Sequence, residues 1–331
     1  MKEQSFGKPR NIGILKRLST IREIIIFGVS IGMFILFFFA SKGKFVSPAV
    51  INLISVAVSE LGLIVIGVAL LMICGEFDLS VGSVSALGAL IVAKLYQLGL
   101  NPFLALVIAL GVGMAIGAIN GLITVKFRLP SFIVTLGTMI AWRGVIYVST
   151  AGVPVGFRVI ETYPAFHNFL VGDVGVIPVP SIWFIVFAII LMLILNFHWF
   201  GNHIYAVGGN KETARGMCIN TDKTKVICFM LVGMLSAFAG VMRVTRIRGF
   251  HALQGSGIEL MAIASAVIGG TLLSGGVGTI VGACLGALVI TVLEYGLIMS
   301  GISAYWYKLF LGIIIILVVI INVVVERRRE S

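Results

Sequence analysis

About ten apolar runs, most of them near the roughly 20 residues that span hydrocarbon, follow one another between residues 24 and 325. Lipid offers no partner to an exposed peptide group, so a chain written this way must bond its backbone internally, within helices. The expectation is an all-α polytopic membrane protein. Composition agrees, with 59% hydrophobic and only 11% charged residues. The net charge of +11 could suggest nucleic acid, but Lys and Arg lie mainly between the apolar runs, where they set topology; nucleic-acid binding is excluded. The four cysteines, Cys74, Cys218, Cys228 and Cys284, lack paired metal-ligand spacing and read as small buried hydrophobes.

One polar stretch interrupts this pattern. From Gly75 to Ser83, two carboxylates (Glu76, Asp78) and two hydroxyls (Ser80, Ser83) stand between long apolar runs. A carboxylate at membrane depth costs about 2.5–3.5 kcal/mol on insertion scales, so this segment belongs at a bilayer surface or against a protein-enclosed polar space, such as a transport path. Asp78 or Ser80 sits where the N-cap of a helix over Val84–Leu95 belongs. Glu60, inside the run Val50–Cys74, is buried by position and calls for either a functional role or an internal hydrogen-bond partner.

In order, the basic residues 1–23 lead into the first run, Ile24–Ala40, and should stay inside. Lys126 and Arg128 close the fourth run on an inside loop. Pro130 opens the fifth, where Thr135, Thr138 and Arg143 should face something other than lipid. Residues 149–181, with four prolines, form the longest outer segment and suggest a short surface helix. The loop at about 200–223 carries a short helix begun at Asn210, read as a handle for a partner or as a solvated linker. Val226–Val244, Leu260–Gly270 and Gly278–Met299 are read as spans seven to nine. Arg243, Arg246 and Arg248 then fall in an outer segment, a local exception to the positive-inside rule. The run Leu309–Val325 and the basic tail 326–331 place both termini inside, with residues 24–325 forming one transmembrane domain.

Glycines recur in two helices. Gly113, Gly117 and Gly121 clear one face of the fourth run, and Gly278, Gly282 and Gly286 repeat the spacing in the ninth, which crosses in the opposite direction. That is the pattern of a five-plus-five inverted repeat. Catalytic and phosphate-binding signatures are missing. No GxxxxGK[ST] loop or Gly-x-Ser-x-Gly elbow occurs, and His198 and His203 lack the Glu of a HExxH site, so neither catalysis, nucleotide binding nor a metal is expected of this chain.

Four blocks in order resemble the permease subunits of ribose-type sugar ABC importers: Asp78-Leu79-Ser80-Val81-Gly82-Ser83; Pro130-Ser131-Phe132-Ile133-Val134-Thr135-Leu136-Gly137-Thr138 with Arg143-Gly144; Ile204-Tyr205-Ala206-Val207-Gly208-Gly209-Asn210; and Val267-Ile268-Gly269-Gly270-Thr271 through Gly278. The resemblance implies import of a monosaccharide delivered by an external binding protein at the bacterial inner membrane. It also implies a second permease copy or a sister permease, and ATP and Mg held by a separate ATPase subunit. The segment Gly208, Gly209, Asn210, Lys211, Glu212, Thr213, Ala214 and Arg215 to Ile219 resembles the coupling element that meets the ATPase. The loops 75–83 and 126–132, with Glu60, Gly75, Glu76, Asp78, Ser80, Ser83, Pro130, Ser131, Phe132 and Thr135, then stand where a gate or translocation path is expected.

This chain departs from the family pattern at three positions. Glu76 stands where a small residue is common, Glu60 at a position usually apolar, and Cys218 where a glycine usually closes the coupling helix, which disfavours the left-handed turn expected there. A competing reading, an ion-coupled secondary transporter, would use Glu60, Glu76, Asp78, Glu259 or Glu294 as ion sites.

Overall fold

The computed structural model describes residues 12–303, 306, 309–314, 316 and 320, with side chains from residue 23 on. The expectations for residues 1–11, the tail 326–331 and much of the run Leu309–Val325 lie outside the described residues. What is described is almost entirely helical, and seven helices are long and apolar enough to cross a membrane.

The helices in chain order are α1 (Ile12–Ala40), α2 (Pro48–Ile73), α3 (Val81–Gln97), α4 (Pro102–Phe127), α5 (Ser131–Thr150), α6 (Val159–Thr162), α7 (Pro164–Val171), α8 (Val179–Phe197), α9 (Trp199–Gly209), α10 (Lys211–Gly216), α11 (Thr221–Ile247), α12 (Ile258–Ile268) and α13 (Ile280–Met299). Pro stands at the first turn of α2, α4, α7 and α8, where its missing N–H costs no bond. Helix α2 is the central post: 89% of its most apolar window is buried inside the protein, against 22% for α5 and α8. The helices α8, α9, α11, α12 and α13 pack around it. Helix α1 lies outside this core against α13, where Phe37 covers Gly296 and joins Phe45, Ile54 and Val292 in a second apolar cluster.

The glycine facets are where backbones meet. Gly113, Gly117 and Gly121 of α4 lie against Gly233, Phe229 and Val226 of α11, close enough that an added Cβ would collide with main-chain atoms. Gly282 and Gly286 of α13 lie in the same way against Gly269 and Ser265 of the α12 region. Gly278 faces Ile73 and Thr271.

Three boundaries differ from the sequence reading. Helix α12, expected as a span, has 11 residues and rises about 16 Å at 1.5 Å per residue, half of a bilayer core. It ends because Gly269 and Gly270 follow, the latter in the left-handed region. Residues 199–209, expected as loop, form α9. Helix α11 runs on to Ile247, so Arg243 and Arg246 belong to its last turns and not to an outer loop. Outside the helix bundle, residues 151–178 hold α6, α7 and three short strands: β1 (Val155–Gly156) pairs antiparallel with β4 (Gly249–Phe250) from after α11, and β2 (Asp173–Val174) with β3 (Ile177–Pro178). Phe157 and Phe166 are buried beneath this cap.

Candidate functional site

The polar stretch after α2 is a fixed loop, held from four sides. Its backbone would be unsatisfied at membrane depth, and α5 supplies the missing partners: Phe77 N–H donates to Ser131 Oγ at 3.0 Å and Leu79 N–H to Thr135 Oγ1 at 3.1 Å. At the start of α3, Ser83 Oγ donates to the Met139 carbonyl at 2.9 Å. Asp78 Oδ1 accepts from Ser80 N–H at 2.7 Å and Ser80 Oγ at 2.6 Å, while Asn120 Nδ2 of α4 donates to Ser80 Oγ at 2.9 Å. Ser80 occupies the N-cap position of α3, but its side chain does not cap the helix. Asp78 closes a turn on Ser80 instead, which corrects the expected capping role. Glu76 is ion-paired with Lys225 of α11, both buried.

Gly75, at the mouth of this loop, meets two other segments. An added Cβ on Gly75 would lie 3.5 Å from Gly208 Cα, one on Gly275 2.8 Å from Gly75 Cα, and one on Gly276 2.7 Å from Gly209 Cα. Gly276 N–H donates to the Ile73 carbonyl at 2.8 Å, and Tyr205 of α9 donates from its hydroxyl to the Gly278 carbonyl at 2.8 Å. The end of α2, the end of α9 and the loop 269–279 therefore touch backbone to backbone. Such contact excludes a side chain at Gly208, Gly275 and Gly276, where a Cβ would collide with main-chain atoms.

Helix α10 starts one residue beyond this junction. Asn210 Oδ1 accepts from Thr213 N–H at 2.9 Å, the cap expected from sequence. Ala214 is buried, while Glu212, Thr213, Arg215, Gly216 and Met217 are exposed, so α10 is anchored by one residue and presents the rest outward. Its charges pair along the surface: Arg215 with Glu212 at 3.2 Å and with Asp222 at 3.5 Å, and Lys211 with Asp222 at 3.8 Å. Burial, with the cations of Lys225 and Arg215 close by, holds the Lys211 ammonium below its usual pKa. Cys218 adopts the left-handed turn at φ 59° despite its side chain, and Ile219 N–H closes back on the Ala214 carbonyl at 3.1 Å. The expectation that cysteine would disfavour that turn is overturned. Cys218 is also exposed rather than buried.

Glu60 belongs to a different place. It lies 13 residues before the end of α2, about 20 Å along the helix from the loop, and Arg246 grips it with two hydrogen bonds, Nε to Oε1 at 2.7 Å and Nη2 to Oε2 at 2.9 Å. The two residues line a cavity of about 610 Å³ between α2, α11, α12 and α13, with Arg243, Gln254, Thr291 and Glu294 as its other strongly polar wall. Sequence reading missed Gln254 and Thr291, and placed Arg243 and Arg246 outside the membrane. The available signal was the i, i+3 spacing of the two arginines, which sets them on one helix face. Arg143 of α5, expected to avoid lipid, donates from Nη1 to the carbonyls of Ala252 at 3.0 Å and Gln254 at 2.7 Å, fixing the segment that carries Gln254. Of the carboxylates considered as ion sites, Glu60 and Glu76 each already hold a cationic side chain. Pro130 and Phe132 stand at the start of α5, Phe132 exposed. Among the described residues no group of three or more His, Cys, Asp or Glu could hold a metal ion.

Comparison with known proteins gives a consistent result. A family model described as "Branched-chain amino acid transport system / permease component" matches residues 50–319. The ribose import permease protein of Bacillus subtilis (strain 168) is 37% identical over 308 residues, 92% of this chain and 93% of its own length. That of Escherichia coli (strain K12) is 36% identical over 266 residues, 80% of this chain and 81% of its own. The xylose/arabinose import permease protein of Sulfolobus acidocaldarius is 34% identical over 300 residues, 88% of this chain and 82% of its own. No solved structure matches the chain.

Proposed function

The chain belongs to the family of branched-chain amino acid transport system / permease components, a multi-pass membrane family, and from that membership we propose that it is the membrane subunit of an ATP-driven importer of a monosaccharide. The relatives named above import ribose, xylose or arabinose, which supports a sugar of that size over an amino acid. ATP hydrolysis belongs to a separate ATPase subunit, and the sugar is delivered by a binding protein outside. Two permease domains, each one unit over about residues 24–325, form the working pair. Both termini face the cytoplasm in this reading, and the ten-crossing, five-plus-five repeat remains its topology, with the half-length α12 and the segment 248–257 before it making the eighth crossing together; α2 to α4 and α11 to α13 then correspond, each set being a long helix, a short one and a glycine-faceted one.

The observation that carries the mechanism is the glycine junction. Helix α10, the coupling helix, is one residue from Gly209, and Gly208 and Gly209 sit directly on Gly75 and Gly276. A displacement of α10 by closing ATPase subunits cannot be absorbed by side chains there, because there are none. It passes to the loop 75–83 and to the loop 269–279, which we assign as the inner gate, with Ser131 and Thr135 as its anchor on α5. The gate thereby switches between two packed states, as alternating access requires.

The test is reconstitution in proteoliposomes with the ATPase that co-purifies with the chain and a sugar-binding protein on the outside. Uptake of D-ribose, D-xylose or D-galactose that requires ATP inside and the binding protein outside is the expected result. Uptake by this chain alone, driven by an ion gradient, overturns the proposal.

A further inference from the structure

A second polar place, a cavity, is assembled within one subunit, about 20 Å along α2 from the loop at Gly75. At about 610 Å³ it falls within the 300–1,000 Å³ range of small-molecule sites. Its charged lining consists of two acids, Glu60 and Glu294, and two bases, Arg243 and Arg246, so the wall is formally neutral. Glu60 and Arg246 spend their charges on each other through two bonds. The wall as a whole offers no excess of either sign to a ligand with a net charge.

Beside these charges stand polar atoms that the fold itself leaves unused. Gln254 Nε2 and Oε1, Thr291 Oγ1 and Arg243 Nε are buried, and among the described residues none of them has a hydrogen-bond partner. Thr291 is only 2% exposed. All three residues line the same cavity. Buried polar atoms without partners are rare in folded proteins, because each forfeits the bonds it had in water. Four of them lie covered in the wall of one space, and once their side chains turn toward a ligand they supply donors and acceptors interleaved: an amide offers both, a hydroxyl offers both, and a guanidinium N–H donates. That array fits a ligand whose own groups are each donor and acceptor, which is what adjacent hydroxyls are.

We propose that this cavity is a direct binding site, within a single permease subunit, for a neutral polyhydroxylated ligand, with Gln254 and Thr291 as its specificity-determining contacts and Arg243 as a further donor. The inference rests on the reading of the chain as a sugar importer and deepens it: the permease itself, and not only an external receptor, selects its cargo. Arg143 holds the Gln254 backbone in place, through a carbonyl that side-chain substitution at 254 leaves intact.

The experiment is saturation-transfer NMR on the purified full chain in lipid nanodiscs, with D-ribose, D-xylose, D-galactose, myo-inositol and L-leucine as probes. At least one of the four polyols should show transfer, and L-leucine none. Removing one neutral hydrogen bond weakens binding roughly two- to ten-fold, so Gln254→Leu and Thr291→Val should each weaken that polyol by about this factor and together by more. Glu161→Gln, on the exposed α6, should leave it unchanged. Thermal melting of each variant separates a lost contact from a lost fold, and Gln254→Glu, which keeps the shape and brings an unpaired charge, provides a second variant expected to weaken binding. Transfer from none of the polyols, transfer from L-leucine, or polyol binding unchanged in both single variants overturns the proposal. Uptake by the assembled complex is read separately. ATP-driven sugar uptake without saturation transfer rejects this site and leaves the importer reading standing, whereas polyol binding without any ATP-driven uptake rejects the importer reading and keeps the site.

Discussion

At the scale of single residues, the most consequential pair is Glu76 with Lys225. Both are buried and joined across 149 residues of chain. Removing one partner leaves an uncompensated buried charge, which costs about 3–5 kcal/mol, whereas replacing both with apolar groups is often neutral. Glu76→Gln is therefore expected to lower the melting temperature of the purified protein substantially, and Glu76→Leu with Lys225→Met to restore most of it. A double variant as unstable as the single one would mean that the pair does not act as a unit. Cys218 gives a second case. A non-glycine residue in the left-handed region costs roughly 1–2 kcal/mol, part of which glycine returns as unfolded-state entropy, so Cys218→Gly should be neutral or stabilise by up to about 1 kcal/mol, measured by slower amide exchange through α10. Local chemistry of this kind is legible from sequence where it is short-range. The Asn210 cap was, because its partner is three residues away. The pairing of Glu60 with Arg246 was not, because 186 residues separate them and either could have met many other groups.

At the scale of elements, α5 has an unusual position. It is only lightly buried, yet it is hydrogen-bonded at two levels to other segments: Ser131 and Thr135 in its first turns hold the loop 75–83, and Arg143, two turns before its end, holds the backbone of Ala252 and Gln254 beside the cavity. A helix is stiff along its axis, so α5 ties the position of the cavity wall to that of the loop 75–83, the proposed gate. Arg143→Met removes two charge-assisted bonds, each worth about 1.5–3 kcal/mol, without touching either the gate or the cavity side chains. The expected outcome is faster amide exchange in residues 251–257 and loss of the increase in ATPase rate that a loaded binding protein produces, with the basal ATPase rate retained. Exchange in 251–257 no faster than in the parent protein would remove Arg143 from this role. Apolar runs exposed most of the long helices in the sequence but misjudged α12, since hydropathy reports what surrounds a segment and not where the helix ends. The buried α12 is as apolar as a span while being half the length of one.

At the scale of the whole molecule, the cavity and α10, the proposed coupling helix, act on each other only if motion crosses the length of α2. The glycine junction is the point at which it can begin. Three backbones meet there without intervening side chains, and a close-packed contact of that kind has discrete arrangements rather than a continuum. Gly208 and Gly209, neighbours in sequence, differ in what surrounds them. A Cβ on Gly208 would collide with the Ile73 carbonyl and stand 2.7 Å from Gly276 N, whereas one on Gly209 meets nothing within 4 Å. Gly208→Ala must therefore push α9 off the end of α2, and because the colliding atoms are main chain, no rotamer relieves it. The expected consequence is a complex that hydrolyses ATP but moves little sugar, with the ratio of sugar imported to ATP consumed falling at least ten-fold. Gly209→Ala, with the same change in composition one residue away, is expected to keep the parent ratio. The comparison is made in proteoliposomes by counting radiolabelled sugar against released phosphate. Equal ratios in the two variants would exclude the glycine junction as the route from α10 to the proposed gate and turn attention to the Lys225 and Glu76 pair, a direct bond between the loop 75–83 and the helix that follows α10.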